Sequence, residues 1–201
     1  MFQERGTTLV EIIVVIFIIA VFSSILVSNL PQILRQFALS RSIHSLSQNL
    51  RKVQDLGLSG VLIIQSEEGE PDQIEAKGYG VYFNLAGSNQ YIIYADRGDT
   101  PDYQYDGSSQ MCGEDINPEA DCILEIIDVT EENSDLYIKE IENISSGFNS
   151  VSINFAPPNP SIVINNLSTN KKEVGIILGL KSDPSLSRSA WINISGLIRI
   201  E

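Results

Sequence analysis

The chain has 201 residues, 43% hydrophobic and 19% charged, which allows a domain with a real core and excludes a disordered chain. The formal net charge of −13 is unevenly placed, because residues 1–55 carry a net of +2 and the remainder is strongly acidic. That balance argues against nucleic acid and anionic membrane surfaces as partners of the acidic part.

From Leu9 to Leu30 the chain is apolar apart from Glu11, Ser23, Ser24, Ser28 and Asn29. A helix of that length is roughly 33 Å long, enough to cross a bilayer core. Two simpler readings compete. A secretory signal peptide is disfavoured by the long apolar run, the six-residue leader and the lack of an A-x-A site. A plain single-span anchor leaves Glu11 unexplained, since a carboxylate inside a spanning segment is costly and needs a partner or a function.

Beyond Pro31, apolar residues recur at Leu39, Ile43, Leu46, Leu50 and Val53. The spacings of four, three, four and three place them on one helical stripe, with Arg41, Ser45, Gln48 and Lys52 on the other side. The expectation is one long helix from about residue 8 to 56, loosened at Pro31, with Gly57 as its C-terminal cap. His44, the single histidine, falls nearer the polar face and has no catalytic or metal-binding companion.

After Gly60 short β-like runs alternate with Gly, Pro, Asn and Asp clusters. Candidate strands are 61–65, 79–84, 90–95, 123–129, 136–141, 151–155, 161–164, 173–180 and 188–200, the last divided by a tight turn at Ser195-Gly196. About nine strands and no second long helix predict an α+β fold, with antiparallel sheets laid on the amphipathic half of the helix. The stretch 156–161, "APPNPS", reads as a stiff loop.

No G-x-S-x-G, Walker loop, G-x-G-x-x-G or zinc-ligand spacing occurs, and no enzyme activity or cofactor is expected. Cys112 and Cys122 flank an acidic loop and fit one disulfide outside the cytoplasm, with two free thiols as the alternative. Asp96, Asp99, Asp102 and Asp106 crowd another loop, where a solvated acidic turn is expected rather than a Ca²⁺ site. Trp191 reads as a core or interface aromatic. The N-x-[ST] sequons at Asn143, Asn166 and Asn193 read as chance.

Gly6 followed by "TTLVEIIVVIFIIAV" resembles the prepilin cleavage and methylation motif of type IV pilins and type II secretion pseudopilins. The likeness covers about the first 25 residues. It implies cleavage by a prepilin peptidase between Gly6 and Thr7, N-methylation of Thr7, and filament assembly in which Glu11 neutralises the amino terminus of a neighbouring subunit. Thr7 stands where the family usually has phenylalanine. The order "GYGVYF", "YIIYAD", "INFAPPNP", "WINISGLIRI" looks like the H-type minor pseudopilins and related minor pilins across most of 78–200.

The resemblance divides the chain into a leader at 1–6, a transmembrane and assembly helix at 7–31, the amphipathic half of that helix at 32–58 and a pilin-like β-rich domain at 59–201. It implies a low-copy structural subunit, first single-pass in the bacterial inner membrane and then part of a periplasmic or extracellular filament. Its partners would be other pilin or pseudopilin subunits, the peptidase, the inner-membrane assembly platform and, before assembly, the bilayer. Alternatives are a DNA-binding minor pilin of an uptake filament, disfavoured by the charge, and a plain membrane-anchored binding protein.

Overall fold

In the computed structural model, residues 8–60, 62–67, 70–86, 89–97, 103–107, 109–113, 120–131, 133–157 and 161–201 are described, with the backbone alone for 29, 62–67, 70–75 and 161. One α-helix, α1, spans Leu9–Ser59. Eleven strands follow among the described residues: β1 (Leu62–Glu67), β2 (Glu70–Glu75), β3 (Gly78–Asn84), β4 (Gln90–Asp96), β5 (Cys122–Asp128), β6 (Leu136–Glu142), β7 (Ser150–Ala156), β8 (Ser161–Ile164), β9 (Glu173–Leu180), β10 (Ser187–Asn193) and β11 (Ile198–Ile200). A 3-10 turn, Val129–Glu131, follows β5. The architecture is α+β: a helix followed by antiparallel sheets.

Two compact units are resolved, 1–37 and 38–201. The first is helical from Leu9, and its apolar side chains are exposed. Pro31 lies inside α1 and does not end it. The second unit holds the core.

The expected stripe is that core's helical side: Leu39, Ile43, Leu46, Leu50 and Val53 are all buried, Leu50 and Val53 completely. They belong to one cluster with Tyr79, Val81 and Phe83 of β3, Val151, Ile153 and Phe155 of β7, and Val174, Ile176, Ala190 and Ile192 of β9 and β10. Burying each such side chain stabilises by about 1.5–3 kcal/mol relative to leaving it in water.

Among the described residues three sheets form, all by antiparallel pairing: β5-β4-β3-β7-β8, β11-β10-β9-β6 and the hairpin β1-β2. β7 carries the alternating "VSINF", yet both faces of it are buried, Ser152 and Asn154 included. The turn at Ser195-Gly196 joins β10 to β11 as expected, with Gly196 at φ +85° and the Asn193 side chain accepting from the Ser195 and Leu197 N–H groups.

Two expectations are corrected. Gly57 does not cap the helix. It is buried inside α1, where a Cβ would lie 2.6 Å from Cβ and the carbonyl oxygen of Phe155, so the glycine serves a close approach between helix and β7. The positive φ that ends the helix belongs to Gly60, at +58°. The strand count also rises from about nine to eleven. β10 and β11 come from the one run split at its turn. β2, "EPDQIE", was missed because it contains proline, two glutamates and an aspartate, residues depleted in strands.

Two cross-strand contacts tolerate only glycine. A Cβ on Gly80 of β3 would sit 2.3 Å from the fully buried ring of Tyr94, its partner on β4. A Cβ on Gly175 would meet the Trp191 ring at 2.9 Å, while Arg199 lies 5.4 Å from the ring centroid. Gly80→Ala is therefore expected to destabilise the domain by about 1–3 kcal/mol, the usual range for overpacking, read as a lower urea midpoint; an unchanged midpoint would refute the packing argument.

Candidate functional site

The apolar half of α1 carries the residues singled out by the sequence. Thr8 precedes the helix, and the Glu11 N–H donates to its Oγ1 at 3.3 Å and its carbonyl oxygen at 3.1 Å. Thr8-Leu9-Val10-Glu11 has the T-x-x-E spacing of a capping box, in which a threonine and an acid hold the first turn. A carboxylate there is also favoured by the helix dipole. Both bonds use the Glu11 backbone N–H, so Thr8 is the cap, and the signal for it was in the sequence. Gly6 and Thr7 lie outside the described residues.

Leu9–Ser28 is long and apolar enough to cross a membrane, and none of it is buried. Phe17, Phe22 and Leu26 are each more than 60% exposed. Leaving this many large apolar side chains in water is strongly unfavourable, so the segment calls for lipid or other helices around it. The Ser28 hydroxyl donates to the Ser24 carbonyl at 2.9 Å, which satisfies it within the helix. A single apolar helix near the N-terminus fits a membrane anchor or a signal sequence.

Cys112 and Cys122 form a disulfide with Cα atoms 4.9 Å apart. The Cys112 N–H donates to the Ile123 carbonyl and the Ile123 N–H to that of Gln110, both at 2.8 Å, so the bond ties this segment to the start of β5.

Beside the disulfide is a polar cluster, buried at Asp96, Arg97 and Asp121, in which the sequence singled out Asp96 and Asp106 but not Arg97 or Asp121. Asp121 accepts from the Arg97 N–H at 3.3 Å and the Asp106 N–H at 3.0 Å, while Asp106 accepts from the Asp121 N–H at 3.1 Å. Asp96 accepts from the Tyr103 N–H and the Asn154 amide, at 3.1 and 3.2 Å. Two of the four crowded aspartates are therefore backbone caps; Asp99 and Asp102 lie outside the described residues. No group of three or more metal-ligating side chains suited to an ion occurs among the described residues. Burial pushes the Asp121 carboxyl up to about 7, with the charges of Asp106 and Asp96 adding and the two backbone N–H groups opposing. Arg97, also buried, is lowered by desolvation and held back by Asp121.

Of the remaining candidates, Trp191, Asn143 and Asn166 have structural roles. His44 is exposed. Trp191 is half-buried and donates from Nε1 to Ser189 Oγ. Asn143 and Asn166 adopt left-handed turns, at φ 66° and 60°, and their amide nitrogens donate to the Glu173 and Ser150 carbonyls. The asparagine of each of these sequons is thus a turn former.

Because the Asp121 pKa is raised on folding, the stability it contributes is full below the ordinary value of 3.8 and is lost as pH rises through about 7. Carbon-13 NMR of the side-chain carboxyl should show a titration midpoint near 7; a midpoint near 4 would refute the assigned environment.

Comparison with protein-family models, with curated proteins and with solved structures finds no match to this chain.

Proposed function

We propose that the chain is a structural filament subunit of the type IV pilin and type II secretion pseudopilin class, a minor pilin or pseudopilin anchored in the membrane before assembly. The observation that carries this reading is the division of one helix, α1: its first twenty residues, Leu9–Ser28, are apolar and unburied, while the stripe from Leu39 to Val53 is consumed by a β-rich core. A subunit of a helical bundle needs both, an apolar surface left for its neighbours and a folded domain carried beside it. Glu11 lies in the first turn of the apolar part. In a bundle, its carboxylate would pair with the α-amino group of a neighbour cleaved after Gly6. An isolated buried charge is strongly unfavourable and a pair much less so, so the pairing would select the correct stagger. On this reading the chain is a substrate of the prepilin peptidase and catalyses nothing itself.

A second reading has one specific observation behind it. Thr8 caps the first turn through the Glu11 N–H, and the T-x-x-E spacing would let the Glu11 carboxylate serve only to complete that cap in a single-span anchor of a binding protein.

Two measurements separate the readings. The intact mass of protein from its native membrane should correspond to a chain beginning at Thr7 with one added methyl group; a chain retaining residues 1–6 in the presence of its peptidase would exclude the filament class. Glu11→Gln keeps a capping side chain and removes the charge, whereas Glu11→Ala removes both. If Glu11 pairs with a neighbour's amine, both variants are cleaved normally but enter filaments poorly, consistent with a loss of about 3–5 kcal/mol for stripping one partner from a buried pair. If Glu11 is only a cap, the Gln variant behaves as the wild type.

A further inference from the structure

Residues 103–107 lie as a strap on the face of the five-stranded sheet turned away from α1. The Tyr105 ring centroid is 5.1 Å from that of Tyr82 on β3 and 5.2 Å from that of Tyr94 on β4. With Ile92 and Ile123 these rings make a small cluster separate from the main core. Successive strand residues face opposite sides, so Tyr82 points away from Val81 and Phe83, which pack in the core with α1.

Side chains hold the strap. The N–H groups of Tyr103, Tyr105 and Asp106 donate to Asp96 Oδ2, Ser152 Oγ and Asp121 Oδ2, at 3.1, 3.2 and 3.0 Å. Asn165 Nδ2 donates to the Tyr103 carbonyl at 3.2 Å. The backbone is left-handed at both ends, with Tyr103 at φ 58° and Gly107 at 84°. That conformation is uncommon for a bulky residue such as Tyr103 and persists only where its surroundings impose it.

One contact is reciprocal: Asp106 and Asp121 each accept the other's N–H through Oδ2, which brings two carboxylates into one clasp. Asp121 is only 4% exposed, and its neighbour Cys122 is fully buried and bonded to Cys112. Among the described residues, the charged and titratable groups facing Asp121 are Tyr94 and Asp96 of β4, Arg97 directly after it, and Tyr105 and Asp106 of the strap. Two of these are carboxylates and one is a guanidinium. Ionising Asp121 adds a third carboxylate charge where water does not reach. Burial, with Asp106 and Asp96, favours the protonated form over the opposing pull of the two backbone N–H bonds.

We infer that the strap is a pH-operated clasp, closed over Tyr94 and Ser152 while Asp121 holds its proton and loosened from the sheet when that proton is lost. Loosening hydrates the Asp121 carboxylate, frees Tyr103 from left-handed backbone and uncovers the Tyr94 ring. The Cys112 N–H donates to the Ile123 carbonyl and the Ile123 N–H to that of Gln110, so residues 110–112 stay anchored to β5 and bound the motion. The inference is independent of the filament reading. The Asp121 carboxyl is raised in the closed form, so closure is favoured most at low pH. Opening grows about tenfold per pH unit above the ordinary value of 3.8 and levels off above about 7.

The test is hydrogen exchange of the full chain in phospholipid nanodiscs between about pH 5 and pH 8, corrected for intrinsic rates and read by mass spectrometry for peptides covering 103–107 and β9. The strap should exchange faster than β9 at every pH. Its protection should fall about tenfold per pH unit up to about pH 7 and then level off. Asp106→Asn keeps an oxygen for the Asp121 N–H and removes one facing charge, so the levelling point should move to lower pH. Strap protection unchanged across this range would overturn the inference. So would equal protection of the strap and β9 at each pH, which would mean that only global unfolding opens the clasp, or an unmoved levelling point in Asp106→Asn. If that variant does not fold, the wild-type profile decides alone.

Discussion

Five side chains of one helix, from Leu39 to Val53, have to be kept from water, and much of the architecture follows from that requirement. The stripe lies in a single cluster with both larger sheets, and a smaller second cluster of Tyr94, Tyr105 and Ile123 lies with Tyr82 and Ile92 of the five-stranded sheet. Close contact needs small residues at the tightest crossing, which explains why Gly57 lies against Phe155. Polar contacts then fix the lateral placement: Asn49 donates to the Tyr91 hydroxyl, Gln54 to the Gly196 carbonyl, and Lys52 pairs with Glu125. The last is exposed at both ends and adds little stability; it sets register more than strength.

The acidity of the domain has a structural use that bulk charge conceals. Asp96, Asp106 and Asp121 answer backbone N–H groups in loops beside the five-stranded sheet. Asp128 caps the turn after β5, Asp135 accepts from the Ser182 N–H and hydroxyl, and Asp183 does the same for Ser185. Loops without helix or sheet partners must satisfy their amides in some other way, and short carboxylates do so locally. A low isoelectric point here is partly a record of how many turns are closed.

What was legible in the sequence is what depends on period. The four-three spacing of the stripe survives as burial, and the strongly apolar strands, from 78–84 to 173–180, fall within a residue or two of expectation. β2 was not legible, because main-chain pairing with β1 forms it despite unfavourable side chains. The role of Gly57 was hidden for a related reason: a glycine near a helix end has the same local signature whether it turns the chain or admits a neighbour, and only Phe155, about a hundred positions away, decides. The Asp121 cluster is likewise non-local, assembled from Asp96, Arg97 and Asp106 with a residue beside a cysteine. In contrast, the Thr8 cap of the first turn was readable from spacing alone. Gly6 and Thr7 rest on motif resemblance.

The composition of the core has a consequence in time. Leu39 to Val53 are shielded by side chains that include Val174, Ile176, Ala190 and Ile192, more than a hundred residues later in the chain. Local hairpins such as β3-β4 can form soon after synthesis, but the stripe cannot be fully covered until the residues of β9 and β10 have left the ribosome. Loop closure over such separations is entropically costly and makes folding slow relative to locally connected domains. During that interval the nascent chain exposes one side of a helix and unpaired strand edges together, the combination most prone to misassociation. A holding chaperone or rapid delivery to its destination would shorten the exposure, and a chain stopped after β8 would not escape it.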